Sequence, residues 1–162
     1  MSIALSLKTE QLKSFFENSI FLSSVSSWLF AQLLKSVIFT LRGDKKSKRE
    51  ILETVTWRTG GMPSSHAALV SSMTTAMAFK EGVGSNLFIV TLFLALIVMR
   101  DAMGVRRASG LQARTLNALG RVWSERMGGE YHPVKEIQGH SPLEVVVGGL
   151  LGIFISAAYA FL

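Results

Sequence analysis

Four long stretches with few or no charged residues occupy most of this 162-residue chain and restrict what it can fold into. They cover residues 18–34, with apolar character continuing past Lys35 to Leu41, and then 59–79, 82–99 and 145–162. A helix needs roughly 20 residues to cross a bilayer, and each stretch approaches that length once its polar ends are included. The sequence therefore predicts an all-α integral membrane bundle of about four spans, with residues 1–162 forming a single membrane-embedded domain.

The second stretch differs from the others because it is rich in Ser, Thr and Ala and weak in hydropathy. Small residues let helices approach closely inside a membrane, so we expect this helix to be buried among the others. Gly148, Gly152 and Ser156 form a similar small-residue stripe on the fourth stretch. That stripe indicates close packing either within the bundle or in a dimer, which leaves a homo-oligomer open.

Residues 106–140 form the longest connection between the predicted spans. Apolar residues recur in this connection at helical spacing, at Leu111, Leu116, Leu119, Val122 and Trp123. The pattern predicts an interfacial amphipathic helix that lies on the membrane surface or against the bundle.

Composition is typical of a small membrane protein with basic loops, and it excludes several kinds of site. The chain is 49% hydrophobic, yet its net charge is +6 and its pI is about 10.0. It contains no cysteine, which excludes a disulfide framework and thiolate metal ligands. Its histidines are scattered, so we expect no metal and no cofactor; we also expect no nucleic-acid partner and no cleavable signal peptide. The alternative, a soluble protein with unusually apolar helices, is disfavoured by the lengths of the stretches.

The distribution of basic residues predicts the orientation of the bundle. The N-terminal tail and the turn after the second span hold three of them, Lys8, Lys13 and Lys80. Six follow the first span and six follow the third, namely Arg42, Lys45, Lys46, Lys48, Arg49, Arg58, Arg106, Arg107, Arg114, Arg121, Arg126 and Lys135. With four spans these two loops share one side of the membrane, and their positive charge places that side in the cytoplasm.

The same topology gathers polar residues that are far apart in the sequence. They lie near Lys35 at the end of the first span, in "GGMPSSH" at the start of the second, in "MRDAMGVRR" at the end of the third and in "GHSPLE" at the start of the fourth. All four clusters fall at the cytoplasmic ends of their helices. Ionisable residues at such positions are functional candidates by default, so the sequence predicts a multi-pass protein with a site on the cytoplasmic side.

This polar layer is suited to binding an oxyanion such as phosphate. A helix N-terminus offers free backbone N–H groups and a partial positive charge, and ammonium and guanidinium groups bind phosphate oxygens. His66 and His140 begin two different helices, and such a pair of imidazoles can attack phosphorus and protonate the leaving oxygen. The candidate phosphate-binding residues are Lys35, Arg58, Gly61, Ser64, Ser65, Arg106 and Arg107.

Each of these features has a simpler interpretation that the sequence leaves open. "SPLE" has the pattern of a capping box, with Ser141 at the N-cap and Glu144 three residues later. Ser64 or Ser65 can be merely the N-cap of the second span, and the arginines of "GVRR" can be merely anchors at the membrane surface. The joint placement of the clusters at one level is what favours a functional site.

Three blocks of the sequence, "GGMPSSHAALV", "RDAMGVRRASGLQARTLNAL" and "KEIQGHSPLEVVVGGLLGI", resemble the divergent branch of the phosphatidic acid phosphatase type 2 superfamily. That branch is related to acid phosphatases and vanadium-dependent haloperoxidases. The resemblance extends from about Ala31 to the C-terminus. It implies a helical bundle with a metal-free phosphatase site.

The resemblance assigns roles to three residues. "PSSH" matches the superfamily motif Pro-Ser-Gly-His, with Ser65 in place of glycine, which implies that His66 acts on the leaving group. His140 corresponds to the nucleophilic histidine, and Glu144 corresponds to the aspartate that orients it. Their four-residue separation is one helical turn, which permits a contact between Glu144 and His140.

The phosphate clamp departs from the superfamily pattern. Val134 occupies the arginine position of the Ser-Arg pair that normally lies six residues before the nucleophilic histidine. Lys35 and Arg42 have the spacing of the first motif, but glycine follows where the superfamily has proline. Three further arginines are available to complete the clamp, Arg58, Arg106 and Arg107.

The residues and the resemblance together predict a membrane-embedded, metal-independent phosphatase that hydrolyses a lipid-linked phosphate through a phosphohistidine. Its expected partners are the lipid-phosphate substrate and membrane lipids. Asp101 is expected to pair with a nearby arginine rather than to react. Two alternatives remain: a catalytically degenerate membrane protein that binds anionic lipid or a partner, and a carrier that moves phospholipids.

Overall fold

The computed structural model describes residues 2–41, 61–136 and 139–161. Within these ranges the chain forms α-helices and no strand, so the predicted all-α class is confirmed. In chain order the helices are α1 (Ser2–Phe16), α2 (Ser19–Leu41), α3 (Ser65–Glu81), α4 (Asn86–Met103), α5 (Val105–Met127) and α6 (Pro142–Ala160).

Helix α3 lies at the centre of a bundle that it forms with α2, α4 and α6. It packs most extensively against α6, and it also packs against α2 and α4. Within the described part of the chain, three segments are long and apolar enough to span a membrane: α2, the stretch Asn86–Met127 that comprises α4 and α5, and α6. Helix α3 corresponds to the second predicted span and, with 17 residues, is shorter than these segments. It is buried among the other helices, which confirms the prediction made for this Ser-, Thr- and Ala-rich stretch.

Serine caps define the start of two helices inside the apolar stretches. Helix α3 begins at Ser65, because Ser64 accepts a hydrogen bond from the backbone N–H of Ala67, as the N-cap interpretation of Ser64 predicts. Helix α4 begins at Asn86, directly after the turn that follows α3, because Ser85 accepts a hydrogen bond from the N–H of Phe88. A cap satisfies a backbone donor that the first helical turn leaves free, and it therefore defines the helix start more sharply than hydropathy does.

The polarity of the bundle is that of a protein in a bilayer, with small polar groups inside and large apolar groups outside. Ser23, Ser27 and Ser72 are fully buried. Large apolar side chains such as Ile97 and Phe154 are 65% and 70% exposed. Buried hydroxyls of this kind typically bond back to their own helix, as Ser27 does to the carbonyl of Ser23 at 2.7 Å.

The small-residue stripe on α6 packs within the chain, against α3. A Cβ atom built on Gly148 would fall on the carbonyl oxygen of Ser64, and one built on Gly152 would fall on the carbonyl oxygen of Ala68. The two helix backbones therefore touch where these glycines lie. Of the two interpretations of the stripe, packing inside the bundle explains it without a second copy of the chain.

Helix α5 lies outside the bundle and carries the predicted amphipathic pattern, since Leu116, Leu119 and Trp123 are all more than half exposed. Residues 129–136, here called the strap, return along its other side. The buried side chain of Asn117 bonds to the N–H and the carbonyl of Val134, at 2.9 and 3.0 Å, and to the hydroxyl of Tyr131 at 2.7 Å. The strap thereby leads the chain back toward the start of α6.

Helix α1 was not anticipated from the sequence. Among the helices it contacts α2, and the rings of Phe15 and Phe16 lie 4.5 and 5.8 Å from that of Phe21. Lys13 and Glu17 form an exposed pair at 4.0 Å. The polar residues that suggested an N-terminal tail are thus compatible with an exposed helix.

Candidate functional site

The helix ends predicted to converge are linked by backbone hydrogen bonds at one end of the bundle. The N–H of Ser64, at the start of α3, donates to the carbonyl of Glu144 in the first turn of α6 at 3.0 Å. The N–H of His140, just before α6, donates to the carbonyl of Ala102 at the end of α4 at 3.0 Å. Three helix ends that lie far apart in the sequence therefore meet in one layer.

His140 and Glu144 form the central contact of this layer. The Nδ1 atom of His140 lies 3.1 Å from Oε2 of Glu144, and the His140 side chain is only 4% exposed. The same carboxylate accepts the N–H of Ser141 at 3.1 Å, while the Ser141 hydroxyl accepts the N–H of Glu144 at 3.4 Å. The capping box is therefore real, and its carboxylate also contacts the imidazole.

The loop before α3 supplies the opposite wall of the layer. Gly61 has a φ of +85°, a left-handed conformation that glycine adopts without strain, and its backbone lies close enough to the His140 ring to act on the pKa of that ring. Pro63 follows a cis peptide bond and is fully buried, as is Ser64, and Ser65 is 2% exposed. The loop thus presents the positive N-terminal end of α3 beside the His140 ring.

Two cationic groups approach the histidines. The alkyl chain of Lys35, which is 4% exposed, passes 3.9 Å from the Cβ position of Gly61. The charges of Lys35, Arg106 and His140 all act on His66 at the start of α3. The fold therefore gathers His66, His140 and these cations within electrostatic reach of one another.

Asp101 pairs with an arginine, as the sequence predicted. Its Oδ2 atom lies 2.6 Å from Nε of Arg106, and both side chains are partly exposed. The pair uses one edge of the guanidinium group and leaves its two Nη groups for other acceptors. Asp101 is thus placed to orient Arg106.

Several candidate residues are not brought to the histidines or fall outside the described ranges. Arg58 and Arg42 lie among residues 42–60, which are not described. The Arg107 side chain is exposed, and the Arg107 backbone lies against Gly139. Its assignment to the phosphate clamp stays a prediction without a described contact.

Sequence reasoning missed two backbone positions that hold His140. Gly139 lies directly on the backbone of Arg107, where an added Cβ would collide with it, and Ala102 provides the carbonyl that accepts the His140 N–H. The glycine in "QGHSP" is a signal that could have indicated such a close approach. A carbonyl acceptor leaves no trace in residue type, so Ala102 could be found only from the fold.

The surroundings of His140 keep its ring neutral near pH 7. Burial lowers its pKa from the ordinary value of 6.5, and the Lys35 charge acts in the same direction. The hydrogen bond and the charge of Glu144 oppose this shift, as does the bond to the Gly61 backbone, but the net direction is downward. A carboxylate at Nδ1 favours the tautomer whose Nε2 carries the lone pair, the form that a nucleophilic imidazole needs.

Comparisons with known proteins agree with the resemblance seen in the sequence. Residues 16–155 match the model of a family described as the divergent PAP2 family. The chain is also 36% identical over 151 residues to the uncharacterized membrane protein YuiD of Bacillus subtilis (strain 168), an alignment that covers 86% of this chain and 92% of the relative. No solved structure matches the chain. With the apolar helices, these similarities support a membrane location.

Proposed function

Because this chain belongs to the divergent PAP2 family, we propose that it is a membrane-embedded, metal-independent phosphatase that hydrolyses a lipid-linked phosphate. The observation that carries the proposal is the contact of a buried imidazole with a carboxylate, 3.1 Å between His140 and Glu144, at the end of the bundle where His66 and Lys35 also lie. A positioned nucleophile, a second imidazole and cations are the groups that phosphoryl transfer requires when no metal takes part.

In the first step, Nε2 of His140 attacks phosphorus and the bond from phosphorus to the leaving oxygen breaks. Glu144 accepts the Nδ1 proton in a hydrogen bond and stabilises the positive charge that the ring gains. Protonated His66 gives its proton to the leaving alkoxide. The products are a phosphohistidine at residue 140 and the free alcohol.

In the second step, neutral His66 removes a proton from water as the water oxygen attacks the phosphohistidine. The bond between Nε2 and phosphorus breaks, inorganic phosphate leaves, and both imidazoles return to their initial states. Lys35, Arg106 and the backbone N–H groups of Gly61, Met62 and Ser65 would stabilise the charge on the phosphate oxygens. Arg58 and Arg107 are further candidates.

The membrane setting favours an amphiphilic substrate. The helices around the site carry exposed apolar side chains, including Leu33 and Val37 on α2, close in sequence to Lys35. An acyl or prenyl chain could remain in the bilayer while its phosphate enters the polar layer. A prenyl phosphate or a diacylglycerol phosphate is therefore the proposed substrate class.

We place the site on the cytoplasmic side of the membrane, because the two basic loops adjoin the helix ends that form it. A reporter protein fused after Arg49 should read as cytoplasmic, and one fused after Gly84, in the turn between α3 and α4, should read as external. The reverse pattern would overturn the orientation and leave the proposed chemistry standing.

The lowered pKa of His140 predicts how the rate depends on pH. A neutral ring is the nucleophile, and a pKa below 6.5 keeps it neutral as pH falls from 7 to 6.5. We therefore expect kcat/KM to decline on the acid side only below pH 6.5, as His140 gains a proton.

The variant Glu144→Gln tests whether protonation of His140 causes this decline of kcat/KM at low pH, here called the acid limb. Because Glu144 raises the pKa of His140, its loss should move the limb to lower pH and reduce kcat by roughly 100-fold or more. A limb that moves to higher pH in this variant would contradict the assignment.

A binding role without turnover is the second candidate. It is favoured by the 2.6 Å pair between Arg106 and Asp101, since that carboxylate already partly neutralises a cation of the proposed clamp. Such a protein would hold an anionic lipid or a partner at the same helix ends.

The experiment that separates the two candidates is an assay of purified protein in detergent against a panel of prenyl and diacylglycerol phosphates. Phosphate release that vanadate inhibits and a chelator leaves unchanged supports the phosphatase. Binding of these lipids without release, across the panel, supports the second candidate and overturns the first.

A further inference from the structure

A cavity with both polar and apolar lining residues lies at the opposite end of the bundle from the histidines. It has a volume of about 250 Å³ and lies between α2, α3 and α6, with Ser23, Lys80, Ser156 and Tyr159 among its lining residues. His66 is in the first turn of α3 and Lys80 in the last, a separation of about 21 Å at roughly 1.5 Å per residue. The cavity is therefore distinct from the proposed phosphatase site.

Ser156 gives this cavity a group that lacks a partner. It is 1% exposed, and its hydroxyl has no hydrogen bond within the described part of the chain. A buried hydroxyl is costly to leave unpaired, so a polar atom of a bound molecule is the expected partner. The neighbouring Tyr159 hydroxyl is held in place by Ser26 at 2.8 Å.

The charge of the lining selects an anion. Lys80 contributes an ammonium group, and Ser19, Ser156 and Tyr159 contribute hydroxyls, whereas the Ser23 hydroxyl already donates to the carbonyl of Ile20. Among the described residues that line this cavity none is acidic, although Ser19 and Lys80 also line an adjoining cavity with Glu10 and Glu17. Ammonium and hydroxyl donors are suited to phosphate oxygens.

The rest of the lining favours an anion that carries an apolar chain. Ala76, Phe79 and Ala160 also line the cavity, and the ring of Phe79 packs edge-on against that of Phe161 at 6.0 Å. The volume is below the roughly 300 Å³ at which cavities begin to enclose whole drug-sized ligands, so it suits a headgroup whose chains stay outside.

We propose that this cavity, referred to as the far cavity, binds a phosphate headgroup of a lipid in the leaflet opposite the histidines. The inference does not depend on turnover at His140. It gives the bundle two phosphate-binding ends, joined by an interior in which the hydroxyls of Ser24 and Ser72 are also buried and have no hydrogen-bond partner among the described residues.

The cysteine-free chain allows a site-specific test by single cysteine substitution. The variant Ala160→Cys places a thiol at the far cavity without removing a polar lining group, and Gly84→Cys places one in the open turn between α3 and α4, where no atom lies within 4 Å of the Cβ position. Both proteins are purified in detergent and labelled with a negatively charged methanethiosulfonate reagent. The labelling rate is followed by mass spectrometry.

Short-chain phosphatidic acid should slow labelling of Ala160→Cys by about tenfold and leave Gly84→Cys unchanged. Adding Ser156→Ala or Lys80→Gln should remove most of this protection, while His140→Gln should leave it intact, which separates this proposal from the phosphatase. The variant Ser72→Ala is the matched control, since it removes a buried unpaired hydroxyl that does not line the cavity.

Equal protection by inorganic phosphate would support the site with a free anion as ligand. Equal protection by short-chain phosphatidylcholine would overturn the proposed selectivity for an accessible phosphate anion. No protection by phosphatidic acid, inorganic phosphate or phosphatidylcholine would overturn the site.

Ser156→Ala should melt at the wild-type temperature or above, because it removes a buried donor that lacks a partner. A lower melting temperature would indicate a structural role instead.

Discussion

Replacing His140 with glutamine is expected to lower the rate of phosphate release by roughly 1,000-fold or more, because the nucleophile that forms the covalent intermediate is lost. Glutamine has nearly the length of histidine and an amide that can still bond to Glu144, whose carboxylate lies 3.1 Å from the His140 ring. The substitution therefore removes the reactive nitrogen while it perturbs the packing little. The measurement is release of inorganic phosphate from the most active lipid phosphate of the panel.

The matched control for this variant is His132→Gln. His132 lies in the strap, and its side chain is 85% exposed in a pair with Glu130. This variant should retain wild-type activity, and both variants should melt within a few degrees of the wild type. Turnover that survives in a correctly folded His140→Gln protein would refute the phosphohistidine mechanism.

Replacing Gly152 with alanine is expected to destabilise the bundle by about 2 kcal/mol or more, although the change adds a single methyl group. The added Cβ would collide with the carbonyl of Ala68 and lie 2.9 Å from the N atom of Ser72. Backbone atoms cannot rotate away as a side-chain end can, so α3 and α6 would have to separate. Because the N–H of Ser64 bonds to the carbonyl of Glu144, that separation would also disturb the site.

The stability change is measured by thermal unfolding of the purified protein in one detergent. Gly84→Ala is the matched control, since nothing lies within 4 Å of its Cβ position, and its melting temperature should be unchanged. A stable Gly152→Ala protein would show that α3 and α6 do not pack as closely as described. If Gly152→Ala abolished a dimer without changing stability, the small-residue stripe would instead be an interface between two copies of the chain.

The two interpretations of Glu144 show where sequence reasoning reached its limit. "HSPLE" predicts both a capping box and a contact one turn back to His140, and it cannot say which of the two the carboxylate makes. In the fold Oε2 does both, accepting the Ser141 N–H and contacting Nδ1 of His140, each at 3.1 Å. The two roles are compatible because a carboxylate oxygen has more than one acceptor direction.

Two adjacent arginines show another limit of what the sequence can predict about the site. The sequence predicts Arg106 and Arg107 equally as residues of the phosphate clamp, because they are adjacent and carry the same charge. Adjacent positions on a helix point about 100° apart, so the fold gives the two side chains different surroundings. Arg106 pairs with Asp101 and acts on His66, whereas Arg107 contributes its backbone to the contact with Gly139.

The sequence by itself determined the helical class, the apolar segments, the capped starts of α3 and α6 and the two histidines at those starts. These are local properties, because span length, cap residues and motif spacing depend on neighbours within one or two helical turns. Only the tertiary structure decided that the Gly148 and Gly152 stripe meets α3, that Ala102 holds the His140 backbone and that the far cavity lies at the other end of the bundle. Those contacts depend on how each helix is rotated about its own axis and how far it is shifted along its neighbours. An apolar stretch that faces lipid does not specify either quantity.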